Sequence, residues 1–189
     1  LHLSIRRQRQ MCIRDRLMNV HNPDVTEAAY RKVIYRKTAR LFEAGAQIAA
    51  VLAGRDHSDE SAMICYGQNL GTAFQLVDDT LDYDASPEEL GKNLGDDLAE
   101  GKPTLPLIYA MENGSEAERK MIRHTIEKGG LERLHDIQTL VESTGALEYT
   151  TARAQEAADI AINSLDGIPD SPYKEAMISI ADFAVRRRS

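Results

Sequence analysis

Apolar and small residues recur three and four apart from about Thr26 to Ala53, through Val33/Ile34, Leu41, Ala44/Gly45 and Ile48. That spacing predicts a helix ending at Gly54, with Lys37 interrupting its apolar stripe. Asn22-Pro23-Asp24 is a breaker ahead of it, and Asp24 to Glu27 has the form of a capping box. A second helix is predicted from a Ser58 cap to about Tyr83, with Met63, Tyr66, Leu70, Phe74, Val77 and Leu81 as its core face. Beside that face runs a line that is small or polar throughout: Gly71, Gln75, Asp78, Asp82. Ser86-Pro87-Glu88-Glu89 reads as a cap with proline at the first helical position, soon stopped by Gly91. A glycine-punctuated loop then reaches Pro103. Helical segments follow near 104–112, 115–128, 131–143, 146–165 and 171–187, separated by Gly114, Gly129-Gly130, Gly145 and Pro169/Pro172. No strand pattern or repeat competes, and the pattern is all-α.

Composition agrees. Alanine, leucine, glutamate and arginine are plentiful, and 42% apolar content over 189 residues suits one domain. Cys12 and Cys65 offer no disulfide framework, so a reducing cytoplasm is expected. No apolar run approaches the ~20 residues of a transmembrane helix.

The net charge of −7 hides an asymmetry: residues 1–16 hold five arginines and one aspartate, which leaves 17–189 at −11. So acidic a body is a poor binder of nucleic acid or anionic lipid. Residues 1–16 lack a sustained period and a signal-peptide pattern, and read as a non-native leader to the domain at 17–189. The basic ends, Arg6 to Arg16 and Arg186-Arg187-Arg188, read as solvated ends, with interaction tails as the alternative.

The candidate chemistry centres on Asp78-Asp79-Thr80-Leu81-Asp82. On a helix Asp78 and Asp82 share a face, with Gln75 one turn before them. Like charges there oppose the helix, and they lie towards its C-terminus, where the macrodipole disfavours anions. Two readings stay open on these residues: a solvated acidic helix end, or a site for a hard cation such as Mg²⁺ shared with a phosphate. An EF-hand fails, because Pro87 falls where the turn glycine belongs and Asn93 where the bidentate glutamate belongs. Lys37 either snorkels or meets an anion, with the Thr38 hydroxyl beside it. Lys102 ends the acidic glycine loop, whose mobile backbone suits closure over phosphate, although no P-loop order is present. Asp96 and Asp97 are further ligand candidates or loop solubility, and Glu100 reads as loop solubility. The histidines show no metal-ligand pairing, and Cys65 reads as packing.

Three stretches occur in order: Lys37-Thr38-Ala39-Arg40-Leu41; Gly71 to Asp82 with Phe74-Gln75 inside it; and Gly91 to Pro106, containing Gly101-Lys102-Pro103-Thr104. Together they resemble the trans-polyprenyl diphosphate synthase family, nearest to its bacterial octaprenyl branch, over about Leu17 to Arg188. The resemblance implies the C-terminal portion of an all-α isoprenoid (terpenoid) synthase helical bundle, a homodimer when full length. It implies a prenyltransferase that condenses isopentenyl diphosphate with an allylic diphosphate such as farnesyl diphosphate, using Mg²⁺, to make a polyprenyl chain for a quinone. By the same resemblance Asp78, Asp79 and Asp82 are the metal carboxylates, with Asp78 the direct ligand. Lys37, Thr38, Gln75 and Lys102 bind the allylic diphosphate, with Lys37, Lys102 and Gln75 the catalytic set.

The family's first aspartate motif and its isopentenyl diphosphate site have no counterpart in this sequence. The chain is therefore expected to be a fragment with little synthase activity alone. A non-catalytic subunit of a heteromeric synthase is the alternative, opposed by the intact motif and both lysines. A terpene cyclase is opposed by Gly101 to Thr104.

Overall fold

The structure is a computed structural model that describes residues 19–84 and 95–187. The segment 1–16, the proline-led cap at 86–89 and the first part of the glycine loop lie outside the described residues. Every regular element among the described residues is helical: α1 (Glu27–Ile34), a π-helical turn (Tyr35–Ala39), α2 (Arg40–Leu52), α3 (His57–Asp84), α4 (Asp96–Ala99), α5 (Leu105–Asn113), α6 (Glu116–Lys128), α7 (Leu134–Ser143), α8 (Ala146–Ser164) and α9 (Pro172–Arg186). No helix among them is long and apolar enough to cross a membrane.

The chain forms two compact units. One contains the described residues of 1–33 and 79–149, the other those of 34–78 and 150–188. In the first unit Tyr83, Leu98, Leu107, Ile122, Ile126, Ile137 and Val141 build the core. The turn into α6 is closed by a complete capping box: Ser115 Oγ accepts from the Glu118 amide, and Glu118 Oε2 accepts from the Ser115 amide. Helix α7 begins at Leu134, later than the sequence suggests. Gly129 and Gly130 both take positive φ, 69° and 96°, and the chain turns through the next residues before it can coil.

In the second unit Tyr66, Leu70, Ala161, Leu165, Ala181 and Ala184 form the core, with Phe42 and Ala46 packed against it. Helix α2 crosses α3 at backbone distance. A Cβ on Gly67 would lie 2.5 Å from the Phe42 carbonyl oxygen, and one on Gly71 2.6 Å from Ala39 Cα. Of the predicted small or polar line on α3, Gly71 lies at this crossing, together with Gly67 outside the line.

Three local expectations are corrected. The cap of α1 is Thr26, whose Oγ1 accepts from the Ala29 amide at 3.3 Å, while Asp24 pairs with Arg123 at 2.6 Å. Asp56, with Oδ1 3.0 Å from the Asp59 amide, caps α3 in place of Ser58. The larger correction concerns the stripe through Lys37. The π turn carries one more residue per turn than an α-helix, so the buried positions step from Ile34 to Ala39, Glu43 and Ala50. The predicted stripe is rotated outward: Leu41 is 76% exposed and Ile48 56%. Lys37 is exposed with them.

Candidate functional site

Helix α3 runs without a break through the aspartates, and each unit builds its own polar cluster along it.

In the second unit the cluster begins at the π turn. Thr38 Oγ1 donates to Gln75 Oε1 at 2.7 Å, and Gln75 Nε2 points on to Asp78 Oδ2 at 3.4 Å, a long and weak contact. Gln75 is buried, so its amide is oriented by these partners and not by solvent. The tight packing of Ala39 on Gly71 brings the Thr38 hydroxyl within reach. The end of α9 reaches the same place. Arg187 Nη2 donates to the Phe74 carbonyl at 2.9 Å, its guanidinium lies 3.9 Å over the Phe74 ring, and Nη2 stands 3.9 Å from Asp78 Oδ1. Burial pulls the guanidinium pKa below its ordinary value, and the Asp78 charge pulls it back up. Arg187 is thus not part of a solvated end: it is folded against the helix that carries Asp78.

The first unit holds the other aspartates. Tyr30 Oη donates to Asp79 Oδ2 at 2.5 Å, and both side chains are buried. Burial, then the Asp79 charge, push the Tyr30 phenol well above its usual pKa, so it stays a donor. Asp82 Oδ2 accepts from the Asp97 amide at 3.2 Å. Burial and then the Asp97 charge push the Asp82 carboxyl up to about 6, against the pull of backbone hydrogen bonds. Lys102 Nζ lies 2.8 Å from both Asp97 Oδ1 and Glu100 Oε2. Its partial burial lowers its pKa, but the bonds to Asp97 and Glu100 outweigh that and hold it above the ordinary lysine value. Behind it, Tyr83 Oη and Thr104 Oγ1 share a hydrogen bond of 3.2 Å that fixes the entry to α5.

These carboxylates are hard oxygen donors. Among the described residues no three acidic, imidazole or thiol groups converge into a ready-made metal site. Asp82, however, is a half-buried carboxyl beside a second acid, and a cation there would offset a charge that the protein leaves poorly compensated. The set fits a hard divalent ion that takes most of its ligands from phosphate and water. Asp79 fits less well as a direct ligand, since one oxygen is held by Tyr30 and the residue is 2% exposed.

The structure therefore joins Thr38, Gln75 and Asp78 in one cluster, and Asp82, Asp97 and Lys102 in another. Sequence reasoning missed Tyr30 and Arg187. The only signal for Tyr30 was its place one turn before Ile34 on the buried side of α1. For Arg187 it was the spacing of three beyond Ala181 and Ala184.

A family profile described as Polyprenyl synthetase matches residues 8–144. The chain is 53% identical over 172 residues to the octaprenyl diphosphate synthase of Escherichia coli (strain K12), covering 90% of this chain and 53% of that protein. It is 43% identical over 167 residues to the all-trans-nonaprenyl-diphosphate synthase (geranyl-diphosphate specific) of Rhodobacter capsulatus, covering 88% of this chain and 51% of that one. A crystal structure of polyprenyl synthase from Caulobacter crescentus CB15, complexed with calcium and isoprenyl diphosphate, superposes with a TM-score of 0.89 at 38% identity. That match covers 97% of this chain and 56% of the other. The chain thus spans about half the length of the curated relatives it matches.

Proposed function

The chain belongs to the polyprenyl synthetase family, and from that membership we propose that it carries the part of a trans-prenyltransferase that binds Mg²⁺ and the allylic diphosphate. The observation that carries the reading is Asp82. Its carboxyl is held near pKa 6 by burial and by Asp97, within the motif that also presents Asp78. A group so placed gains most from a divalent cation.

In this reading Asp78 and Asp82 hold the metal. Gln75, oriented by Thr38, adds a weak contact to the Asp78 carboxylate, and Asp79 braces the helix between the two aspartates through Tyr30. Lys37, Thr38 and Lys102 take diphosphate oxygens, the lysines as point charges and the threonine as a hydroxyl donor. When bound, Mg²⁺ supplies positive charge to the departing diphosphate. The lysines add fixed charge where negative charge develops, which is where electrostatic stabilisation accelerates a reaction most.

The complete enzyme joins isopentenyl diphosphate to an allylic diphosphate such as farnesyl diphosphate. The octaprenyl and nonaprenyl names of its relatives support a long product, and octaprenyl, destined for a quinone side chain, is the length proposed. The protein acts in the cytoplasm as a homodimer. Leu41, Ile48 and Leu52 on α2, 76%, 56% and 82% exposed, form an apolar stripe that supports an association face.

Calorimetric titration of the chain with farnesyl thiodiphosphate, with and without Mg²⁺, tests the reading. Binding should need Mg²⁺ and weaken about tenfold or more in Lys102→Ala. Binding that ignores both the metal and Lys102 would sink it.

A further inference from the structure

Among the described residues His21 is the one residue other than glycine with positive φ, at 60°. A left-handed backbone at a residue with a Cβ is strained, and such strain persists where the surroundings impose it. Here two hydrogen bonds impose it. The His21 amide donates to the Gly101 carbonyl at 2.8 Å, and His21 Nδ1 lies 3.0 Å from the Ile126 carbonyl oxygen. A carbonyl oxygen only accepts, so Nδ1 carries the proton.

Gly101 is shaped to this wedge. It takes φ +65°, and a Cβ there would stand 2.3 Å from His21 Nδ1 and 2.6 Å from the Ile126 oxygen. One step back along the loop, the Gly130 amide donates to the Ala99 carbonyl at 3.0 Å, and a Cβ on Gly129 would lie 2.7 Å from that oxygen. The loop backbone is therefore held from outside at residues 99 and 101. From inside, the Lys102 amide donates to the Asp97 carbonyl at 2.9 Å, and Lys102 Nζ meets Asp97 and Glu100. Lys102 is the residue directly after the clamped Gly101 carbonyl.

We propose that His21 is a positioning residue for Lys102: it fixes the Gly101 peptide and so sets where the lysine ammonium stands when a diphosphate arrives. The consequence for ligand rests on the reading of Lys102 given above, whereas the wedge itself does not. The device is steric and geometric: a backbone hydrogen bond to Gly101 and an Nδ1 donor on the Ile126 carbonyl.

Two variants and two readouts test it. His21→Ala removes the imidazole, while His21→Asn keeps a residue that tolerates the left-handed backbone and a side-chain N–H. In His21→Ala, amide hydrogen exchange across residues 95–102 should quicken about tenfold while α3 and α8 keep their protection. Affinity for inorganic diphosphate with Mg²⁺ should fall roughly tenfold, and His21→Asn should recover part of it. In a Lys102→Ala background, His21→Ala should cost nothing further. Unchanged exchange in 95–102 overturns the proposal. So does a His21→Ala loss of the same size with and without Lys102, which would mark a general structural effect. A parent chain that binds no Mg²⁺-diphosphate overturns the reading of Lys102 instead, and the exchange result then judges the wedge alone.

Discussion

The Thr38 hydroxyl donates to the Gln75 carbonyl oxygen across 2.7 Å, tying the π turn to the helix that bears Asp78. Gln75 is 3% exposed, so water does not readily replace that donor. Thr38→Val keeps the shape and removes the hydroxyl, and should destabilise by about 1–2 kcal/mol, whereas Thr38→Ser should cost well under that. Urea midpoints of the three proteins check it. Equal midpoints for valine and serine would mean that the hydroxyl contributes no more than the methyl.

Tyr30 and Asp79 make a second buried hydrogen bond, from a neutral phenol to a carboxylate. Tyr30→Phe leaves a buried carboxylate short of a donor and should cost about 1.5–3 kcal/mol, in the range for hydrogen bonds to charged groups. Asp79→Asn in the Phe background should restore part of the loss, because a neutral amide is less penalised by burial. A double-mutant cycle by denaturation measures the coupling, and a coupling near zero would contradict the contact.

Asp82 gives a pH signature. Its carboxyl moves from an ordinary 3.8 to about 6 in the folded chain, so the native state binds the proton more tightly than the unfolded one. Stability therefore falls as pH rises from 3.8 to about 6, and the destabilisation is fully present above that window. Asp82→Asn should exceed its parent in stability above the window and lose that advantage below it. A difference between the two that does not change with pH would contradict the shift.

Gly71 and Gly45 form a contrast within the second unit. A Cβ on Gly71 meets Ala39 Cα at 2.6 Å, backbone that cannot turn aside, so Gly71→Ala should cost about 1–3 kcal/mol. Gly45 has nothing within 4 Å of such a Cβ, and Gly45→Ala in the body of α2 should stabilise by roughly 0.5–1 kcal/mol. Thermal or urea unfolding reads both signs.

The approximate helix extents were legible because glycine and proline punctuate them, and the motif order Lys37, Asp78, Lys102 was legible as a family resemblance. The direction in which α2 faces was not. A π turn adds one residue without leaving a mark in the apolar spacing, so the stripe through Leu41 and Ile48 read as core although it is exposed. Asp56 and Ser58 are both good caps two residues apart, and only the backbone decides between them. Tyr30 meets Asp79 across 49 residues, and Arg187 meets Phe74 across 113, separations at which no local pattern speaks.

The central claim is that Asp78 and Asp82 hold the metal that meets the diphosphate. Paramagnetic Mn²⁺ in place of Mg²⁺ tests it most directly, by NMR on isotopically labelled chain with farnesyl thiodiphosphate present. Broadening should centre on the backbone signals of Asp78 to Asp82, extend to Asp97, and disappear from that stretch in Asp78→Asn/Asp82→Asn. Broadening centred elsewhere, or unchanged in the double variant, would contradict it.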